Sequence, residues 1–307
     1  MGMSITKYWG KNTPPPPLKE KIGKYYVKSE LHEPTNYSYI YLCKNLNNNV
    51  KNVIKFVKCK INEINKIQNE IEIMSLAKHP NILELEDYFL YNEYMCIVTP
   101  FMPSKSLHTF LIEHYCQGIP EDISSCIIYQ LLDALNYLHK KNILHRDIKT
   151  ENILVVDPNP KHLKVKLADF GSSIHLPKGH ECDEFIGTPD FSAPEIFQHI
   201  NYTEKVDIWS LGITLFVMLT GFLPFPSYSR NPHECKFSII NGDLNYQMLY
   251  NFDISNDAID LIMKMCAVDP ASRITAEKAL KHPWIVSQRS NENVKYSPEG
   301  QAVDFNI

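Results

Sequence analysis

The spacing of apolar residues changes once along this 307-residue chain, and that change constrains the fold more than any other feature. Up to about residue 100, β-branched and aromatic residues form short segments separated by turn-prone stretches, a pattern typical of strands. From about Leu107 onward, longer stretches place apolar residues at helical spacing. The sequence therefore predicts an α+β protein with a small antiparallel sheet first and a mostly helical part after it.

The individual elements follow from the same patterns. The predicted strands are YYVKSEL, YSYIYLC, VIKFVKC, HPNILEL and YMCIVT, beginning at residues 25, 37, 53, 79 and 94. One helix is predicted over Glu63–Leu76 within this part, because its isoleucines and Met74 recur at helical spacing. The later part is predicted to contain helices at Ile123–His139, around Leu211, at Ser255–Cys266 and at Thr275–Ala279.

Charge and apolar content exclude several classes of protein. The net charge of −4 gives no reason to expect binding to nucleic acid or to a charged membrane surface. The longest apolar run, Leu211–Phe225, is too short and too glycine- and proline-containing to span a bilayer, so we expect a buried helix and no transmembrane segment. The eight cysteines form no CxxC pair, which favours free thiols in a reducing, cytoplasmic setting.

The first residues have a different character. Residues 1–21 are predicted to form a tail, with Pro14–Pro17 as a stiff spacer. Gly2 and Thr6 match the N-myristoylation pattern, although Met3 could instead be the natural first residue.

Three motifs in a fixed order carry the strongest functional signal. They are His145-Arg-Asp-Ile-Lys-Thr-Glu-Asn152, Asp169-Phe-Gly171 and Ala193-Pro-Glu195. In this order and spacing, the chain resembles the eukaryotic protein kinase family. The resemblance covers about residues 22–286 and implies a two-lobed kinase domain with an N-lobe over 22–101, a C-lobe over 102–286, and a C-terminal tail over 287–307.

The resemblance implies a role for each polar residue of these motifs in transferring the γ-phosphoryl group of ATP to a protein Ser or Thr hydroxyl. Asp147 would accept or orient the proton of the hydroxyl, and Lys149 would neutralise charge on the phosphoryl group. Asn152 and Asp169 would bind Mg²⁺ through oxygen. Gly171 would allow the backbone turn that directs Asp169 to the metal.

The resemblance also identifies an ATP-binding set in the first hundred residues. Lys55 is expected to contact the phosphates and Glu70 to pair with it, although Lys58 is the alternative strand lysine. The hinge would bind adenine through the backbone C=O of Pro100 and the N–H of Met102. Apolar or small residues are expected to line the rest of the nucleotide pocket, namely Leu31, Val53, Thr99 as gatekeeper, and Leu154.

The segment that should cover the phosphates lacks glycine. The family pattern GxGxxG is replaced by Leu31-His-Glu-Pro-Thr-Asn-Tyr-Ser38, and no glycine occurs between Gly23 and Gly118. Pro34 removes one N–H, and Glu33 would repel phosphate. We expect nucleotide binding to be weaker or differently arranged, unless the loop is displaced and the other contacts suffice.

Further residues are expected to control or brace the site. The resemblance implies that Arg146 binds an anion of the activation loop. Glu184 (or Asp183) stands near the position where this family usually carries its phosphoacceptor. We expect this pair to order the loop without phosphorylation, the alternative being a solvated acidic loop. Thr188 is assigned to the same regulatory segment. Structural roles are implied for an ion pair between Glu195 and Arg273, for Asp207 beneath the catalytic loop, and for an internal apolar spine of Met74, Leu85, His145 and Phe170.

Similarity is greatest to the calcium/calmodulin-dependent group, through segments such as GTPDFSAPEIF and DIWSLGITLFVMLTGF. However, Ser106 and Phe237 stand where two acidic residues usually read a basic residue of the substrate, while Glu151 is retained. Residues 287–307 also lack a calmodulin-binding pattern. Two alternatives to a Ser/Thr kinase stay open: a pseudokinase acting as a scaffold, favoured by the glycine-free loop, and a small-molecule kinase, disfavoured by Gly187-Thr188-Pro189.

Overall fold

A computed structural model of the chain describes residues 16–31, 38–60, 63–103, 105–115, 117–159, 163–177, 179–180 and 182–292. The predictions made for Gly2, for the first part of the proline-rich spacer and for His32–Tyr37 of the glycine-free segment lie outside these residues. Most of the C-terminal tail, from residue 293 onward, also lies outside them.

The first lobe is built on one six-stranded antiparallel sheet with the strand order β1-β2-β3-β4-β6-β5. Its strands alternate buried and exposed side chains, and the buried set, which includes Ile54 and Phe56, forms a separate apolar core inside the lobe. The strand bounds are β1 Lys21–Ile22, β2 Tyr25–Glu30, β3 Ser38–Asn45, β4 Lys51–Lys58, β5 Asp87–Tyr91 and β6 Tyr94–Pro100. One helix, α1 Ile64–Leu76, belongs to the same lobe.

One predicted strand is wrong. HPNILEL is not a strand of this sheet, and β5 begins later, at Asp87. Around Ile82 the segment instead pairs with the second lobe, where the Leu83 N–H donates to the Leu167 C=O at 2.8 Å and the Leu167 N–H donates to the Asn81 C=O at 2.8 Å. Ile82 and Leu83 of this segment are buried, which gives a strand-like pattern without a strand of the sheet.

The second lobe is mostly helical, as predicted. Its helices are α2 Leu107–His114, α3 Glu121–Lys140, α4 Pro194–Phe197, α5 Lys205–Thr220, α6 Pro232–Asn241, α7 Tyr246–Asn251, α8 Asn256–Met265, α9 Ala276–Ala279 and α10 Pro283–Glu292. Two small antiparallel pairs lie among them, β7 Ile143–Leu144 with β10 Ile174–His175 and β8 Ile153–Asp157 with β9 Lys164–Leu167. These two pairs position the loops that carry the polar motifs.

Helix α5 is the centre of the second lobe. It is buried on all sides, which explains why its sequence is apolar without an amphipathic pattern. Its last residue is followed by Gly221 in the left-handed conformation, the usual way to end a helix. Over the residues that the structure describes, no helix combines the length and hydrophobicity needed to cross a bilayer.

Candidate active site

The loop that follows β7 carries the first motif, and Asp207 at the start of α5 holds its backbone. Asp207 is fully buried, and its carboxylate accepts hydrogen bonds from the N–H groups of His145 at 2.9 Å and Arg146 at 2.8 Å. His139 Nε2 lies 2.9 Å from the same carboxylate. Burial works against the charge of Asp207, but these hydrogen bonds and the nearby histidines lower its pKa overall. A buried anion therefore fixes the loop before any substrate binds.

The carboxylate of Asp147 projects from this loop and has three polar neighbours. The amide of Asn152 donates to Asp147 Oδ2 at 2.9 Å, and the Lys149 ammonium lies 3.1 Å from the same oxygen. The Thr188 hydroxyl donates to Asp147 Oδ1 at 2.7 Å and accepts from Lys149 Nζ at 2.6 Å. Thr188 thereby links the loop of Asp147 to the Gly-Thr-Pro segment.

Gly187 allows this link to form. Its φ is +101°, and a side chain there would begin 2.4 Å from the backbone oxygen of Arg146. Both the backbone conformation and the close approach therefore require glycine. The close approach at Gly187 brings the Thr188 hydroxyl within hydrogen-bonding distance of the Asp147 carboxylate.

A second polar group joins β4, α1 and the Asp-Phe-Gly segment. Lys55 Nζ lies 2.7 Å from Glu70 Oε1 and 3.3 Å from Asp169 Oδ1. Burial disfavours the charge of Lys55, but the two carboxylates outweigh it and raise its pKa. The Lys55 ammonium in turn holds the pKa of Asp169 below its ordinary value. It is Lys55, rather than Lys58, that reaches Glu70.

The turn at Asp169 differs from the expectation for Gly171. The residue in the left-handed conformation is Asp169 itself, with φ +61°, and Gly171 does not need a positive φ. Asp169 Oδ1 accepts the Gly171 N–H at 3.4 Å, a local bond that helps an aspartate to adopt this conformation. The strained residue is thus the one with the functional carboxylate.

The two polar groups meet. The Ala168 N–H donates to the backbone oxygen of Asn152 at 2.8 Å, so Asp169 lies directly beside the loop of Asp147. The antiparallel pair β8–β9 explains this placement, because Ile153 faces Leu167 at its end. Residues far apart in the sequence therefore converge on one cleft between the lobes.

The residues expected to line the nucleotide pocket lie on, or just after, the strands that border this cleft. Val53 on β4 is paired with Thr99 on β6, and Pro100 ends β6. Leu154 lies on β8, where its backbone bridges to Ser106. Leu31, Val53, Thr99, Pro100, Met102 and Leu154 all keep at least part of their surface accessible. The backbone of Leu31 is held by Ile40 just before the segment that the structure does not describe.

Arg146 binds the activation loop. Its guanidinium donates to Glu184 Oε2 at 2.9 Å, to the Ser172 C=O at 2.7 Å and to the Tyr202 hydroxyl at 3.1 Å. Burial acts against its charge, yet Tyr202, Glu184 and Cys182 raise its pKa above the ordinary value. Of the two carboxylates considered from the sequence, the pair is made by Glu184.

Glu195 and Arg273 form a buried, bidentate ion pair with N–O distances of 2.7 and 2.9 Å. Arg273 also donates to three backbone carbonyl groups, and its guanidinium lies 5.2 Å from the centre of the Trp209 ring. The pair connects α4 with the segment before α9. None of these residues belongs to the two polar groups of the cleft.

The four residues expected to form an apolar spine are Met74, Leu85, His145 and Phe170, and they differ in how deeply they are buried. Phe170 is fully buried, and its ring centre lies 5.0 Å from that of His145. The turn of Phe170 packs against α1, which also carries the buried Met74. Leu85 is half-buried and packs at the edge of the same core.

Several residues of the site carried no sequence signal. Tyr202 donates to the Glu184 C=O at 3.0 Å and contacts Cys182, whose backbone pairs with that of Tyr202. Asn69 on α1 donates to the Ser173 C=O at 2.7 Å, tying the helix of Glu70 to the activation segment. Neither residue belongs to a motif, and only the folded contacts reveal them.

Comparison with known sequences identifies the family. The family model described as protein kinase domain matches residues 35–285. This chain belongs to the protein kinase family. The kinase domain so matched contains both polar groups and the cleft between them, and the two-lobed α+β fold is confirmed.

Relatives of this kinase domain include Ser/Thr kinases. It is 32% identical over 234 residues to a probable myosin light chain kinase of Dictyostelium discoideum, covering 76% of this chain and 58% of that protein. It is 35% identical over 238 residues to the phosphorylase b kinase gamma catalytic chain, liver/testis isoform, of Rattus norvegicus, covering 75% and 57%. It is 34% identical over 220 residues to an Aurora kinase of Eremothecium gossypii, covering 72% and 57%. The matches thus span little more than half the length of these three relatives.

Proposed function

We propose that this protein is a Ser/Thr kinase that transfers the γ-phosphoryl group of ATP to a hydroxyl of a protein substrate in the cytoplasm. One observation carries the proposal: the Ala168–Asn152 hydrogen bond places the Lys55–Glu70–Asp169 group beside Asp147. Phosphoryl transfer depends on cations that neutralise the charge of the phosphates and on a carboxylate that orients the attacking hydroxyl. This cleft offers cations at Lys55 and Lys149 and carboxylates at Asp147 and Asp169.

The mechanism assigns one task to each side chain. The substrate hydroxyl binds at Asp147, which takes or directs its proton as the oxygen attacks phosphorus. Lys149 neutralises negative charge on the transferring group, while Thr188 keeps Lys149 and Asp147 together through its two hydrogen bonds. Lys55 holds the phosphates of the nucleotide, and Glu70 fixes Lys55 in place.

The donor set near Asp169 fits Mg²⁺. Asp169 supplies a carboxylate that stays ionised because of Lys55, and Asn152 supplies an amide oxygen. In the part of the chain that the structure describes, no three His, Cys, Asp or Glu side chains converge as a metal site. That sparse set suits Mg²⁺, which usually keeps waters and takes only one or two carboxylates together with substrate phosphates. When bound, the ion would neutralise charge on those phosphates.

The same cleft is proposed to be active without phosphorylation of the activation loop. Arg146 is buried, and an unpaired buried cation would be costly, so its anion determines how the loop lies. Glu184 supplies that anion at 2.9 Å, although its side chain is 58% exposed. The hydroxyl of Tyr202 adds a second support by binding both Arg146 and the Glu184 backbone.

Phosphatase treatment tests this regulation. We expect phosphatase-treated wild-type protein to keep its activity and Glu184→Ala to lose about 10-fold or more, the effect of losing a partner worth ~1.4 kcal/mol. Asp183→Ala serves as the matched control, because Asp183 is the neighbouring acidic residue and is not seen to bind Arg146. Equal activity of treated wild type and Glu184→Ala would refute the role of Glu184.

A pseudokinase scaffold is the second candidate, since the segment Leu31–Ser38 has no glycine to cradle phosphate. The two candidates differ in nucleotide turnover. For a kinase, Mg²⁺ and ATP together should raise the melting temperature more than ATP alone, Asp169→Asn should abolish that difference, and ADP should accumulate. If wild type and Asp169→Asn respond alike and no ADP forms, the scaffold is the better description.

A further inference from the structure

A groove lies mainly on the first lobe, and Lys166 of β9 contributes to its lining from the second lobe. It has a volume of about 750 Å³ and lies between the end of α1 and the start of β5. This volume is within the range of about 300–1,000 Å³ found for ligand-binding clefts. Met74 and Leu85 contribute apolar surface, and Tyr88 beside them is 53% exposed. None of the proposed catalytic residues lines the groove.

Charges of both signs surround this apolar surface. The segment leading into β5 contributes carboxylates at Glu84, Glu86 and Asp87. Lys78 and Lys166 contribute ammonium groups, and Lys166 donates to the Ile82 C=O at 3.0 Å. A fitting ligand therefore has aromatic surface, which suits both Tyr88 and the lysine ammonium groups, together with cations for Glu84 and Glu86, since Asp87 is already paired with Lys24.

We propose that the groove binds the chain's own residues 7–11, Lys-Tyr-Trp-Gly-Lys. This segment places two large aromatic side chains between two lysines, and the chain has no acidic residue before Glu20. Tyr8 and Trp9 supply the aromatic surface, while Lys7 and Lys11 supply the cations. The segment therefore matches both the apolar surface of the groove and its carboxylates.

The path of the chain supports the same occupant. Lys24 Nζ lies 2.8 Å from Asp87 Oδ2, and the Tyr25 hydroxyl donates to Asp87 at 3.0 Å, so the start of β2 touches the groove lining. Glu20 lies beside Val27 on β2, since its C=O accepts the Val27 N–H at 2.9 Å. From Pro16, the first residue that the structure describes, back to Lys11 the chain can reach up to about 17 Å. A tether of this length gives a local concentration on the order of millimolar, so modest contacts suffice.

Photo-crosslinking in the full chain tests the proposal without reference to catalysis. The probe p-benzoylphenylalanine replaces Tyr88 in one variant and Tyr250, which is 58% exposed on α7, in a matched control. We expect the Tyr88 variant to crosslink to peptides containing residues 7–11 within one molecule, at least about 10-fold more than the control. Absence of these crosslinks, an equal yield from Tyr250, or crosslinks only between two molecules would overturn the proposal.

A second measurement uses the tryptophans. Trp209 and Trp284 are buried, so their ¹⁹F signals in 5-fluorotryptophan-labelled protein serve as internal references, and Trp9→Phe identifies the signal of Trp9. We expect Tyr88→Ser and Glu84→Gln to shift the Trp9 signal while the references and the Tyr250→Ser control stay unchanged. An unshifted Trp9 signal in both groove variants, or an equal shift in the control, would contradict binding in the groove.

Discussion

The buried ion pair of Glu195 and Arg273 allows a sharp prediction of stability. The side chain of Arg273 is 0% exposed and that of Glu195 is 4% exposed, so Glu195→Gln leaves a buried guanidinium without its anion. Removing one partner of such a pair costs about 3–5 kcal/mol. The three carbonyl groups that also bind Arg273 satisfy its N–H groups but do not neutralise its charge.

The assay is urea unfolding followed by tryptophan fluorescence. Trp209 and Trp284 are buried in the same lobe, and Trp209 packs against Arg273, so the signal reports on this region. A loss of 3–5 kcal/mol also corresponds to a fall in melting temperature of roughly 6–20 °C for a domain of this size. Both measurements should therefore detect the change.

Glu277→Gln is the matched control, since it removes the same charge from an exposed pair. Glu277 lies 3.2 Å from Lys281, and both side chains are largely in solvent. We expect no measurable change in unfolding, because exposed pairs are screened by water. If Glu195→Gln unfolds at the same urea concentration as Glu277→Gln, the reasoning from burial is refuted.

Three further predictions concern the site. Glu70→Gln should lower kcat about 10–100-fold, because Lys55 loses the carboxylate that holds it. Glu72→Gln, on the exposed face of α1, should leave kcat unchanged. Equal kinetics of the two variants would contradict the role of the Lys55–Glu70 pair. Gly187→Ala should reduce activity about 100-fold while the protein stays folded. The new side chain would lie 2.4 Å from the backbone oxygen of Arg146 and would displace Thr188 from Asp147. Unchanged activity would contradict the requirement for glycine at this position. Because the native pKa of Asp207 is lowered, the unfolded state takes up its proton first as pH falls. The stability that Asp207 supplies is therefore full above about pH 5 and is lost as pH drops through the ordinary value of about 3.9 toward the lowered one. Unfolding between pH 7 and pH 3 should depend less on pH in Asp207→Asn, and an equal dependence would contradict this assignment.

The sequence was most informative where chemistry fixes residue type and spacing together. The order of the His-Arg-Asp, Asp-Phe-Gly and Ala-Pro-Glu motifs predicts the family, which is confirmed. Strand alternation placed Lys55 on the face that meets Glu70, and the contact at 2.7 Å is what that alternation predicts. Local patterns of this kind survive folding because they depend on few other residues.

Other features depended on contacts that no local pattern encodes. HPNILEL has the composition of a strand, but its backbone pairs with Leu167 of the other lobe. Tyr202 and Cys182 reach Arg146 only because the activation segment folds back upon itself. The turn that directs Asp169 was expected to depend on Gly171, but it is Asp169 that adopts the left-handed conformation, in a local turn where its Oδ1 accepts the Gly171 N–H. Long-range pairing and local strain of this kind require the three-dimensional structure.

Transfer of radioactive phosphate from γ-³²P-ATP to a degenerate peptide mixture with central Ser or Thr tests the central claim most directly. With Mg²⁺ present, the wild-type protein should label Ser and Thr. Asp147→Asn should bind Mg²⁺ and ATP like the wild type yet label the peptides about 10²–10⁴-fold more slowly, the usual effect of losing a general base. Absence of labelling by the wild-type protein, or equal labelling by Asp147→Asn, would contradict the assignment of this cleft as a phosphoryl-transfer site.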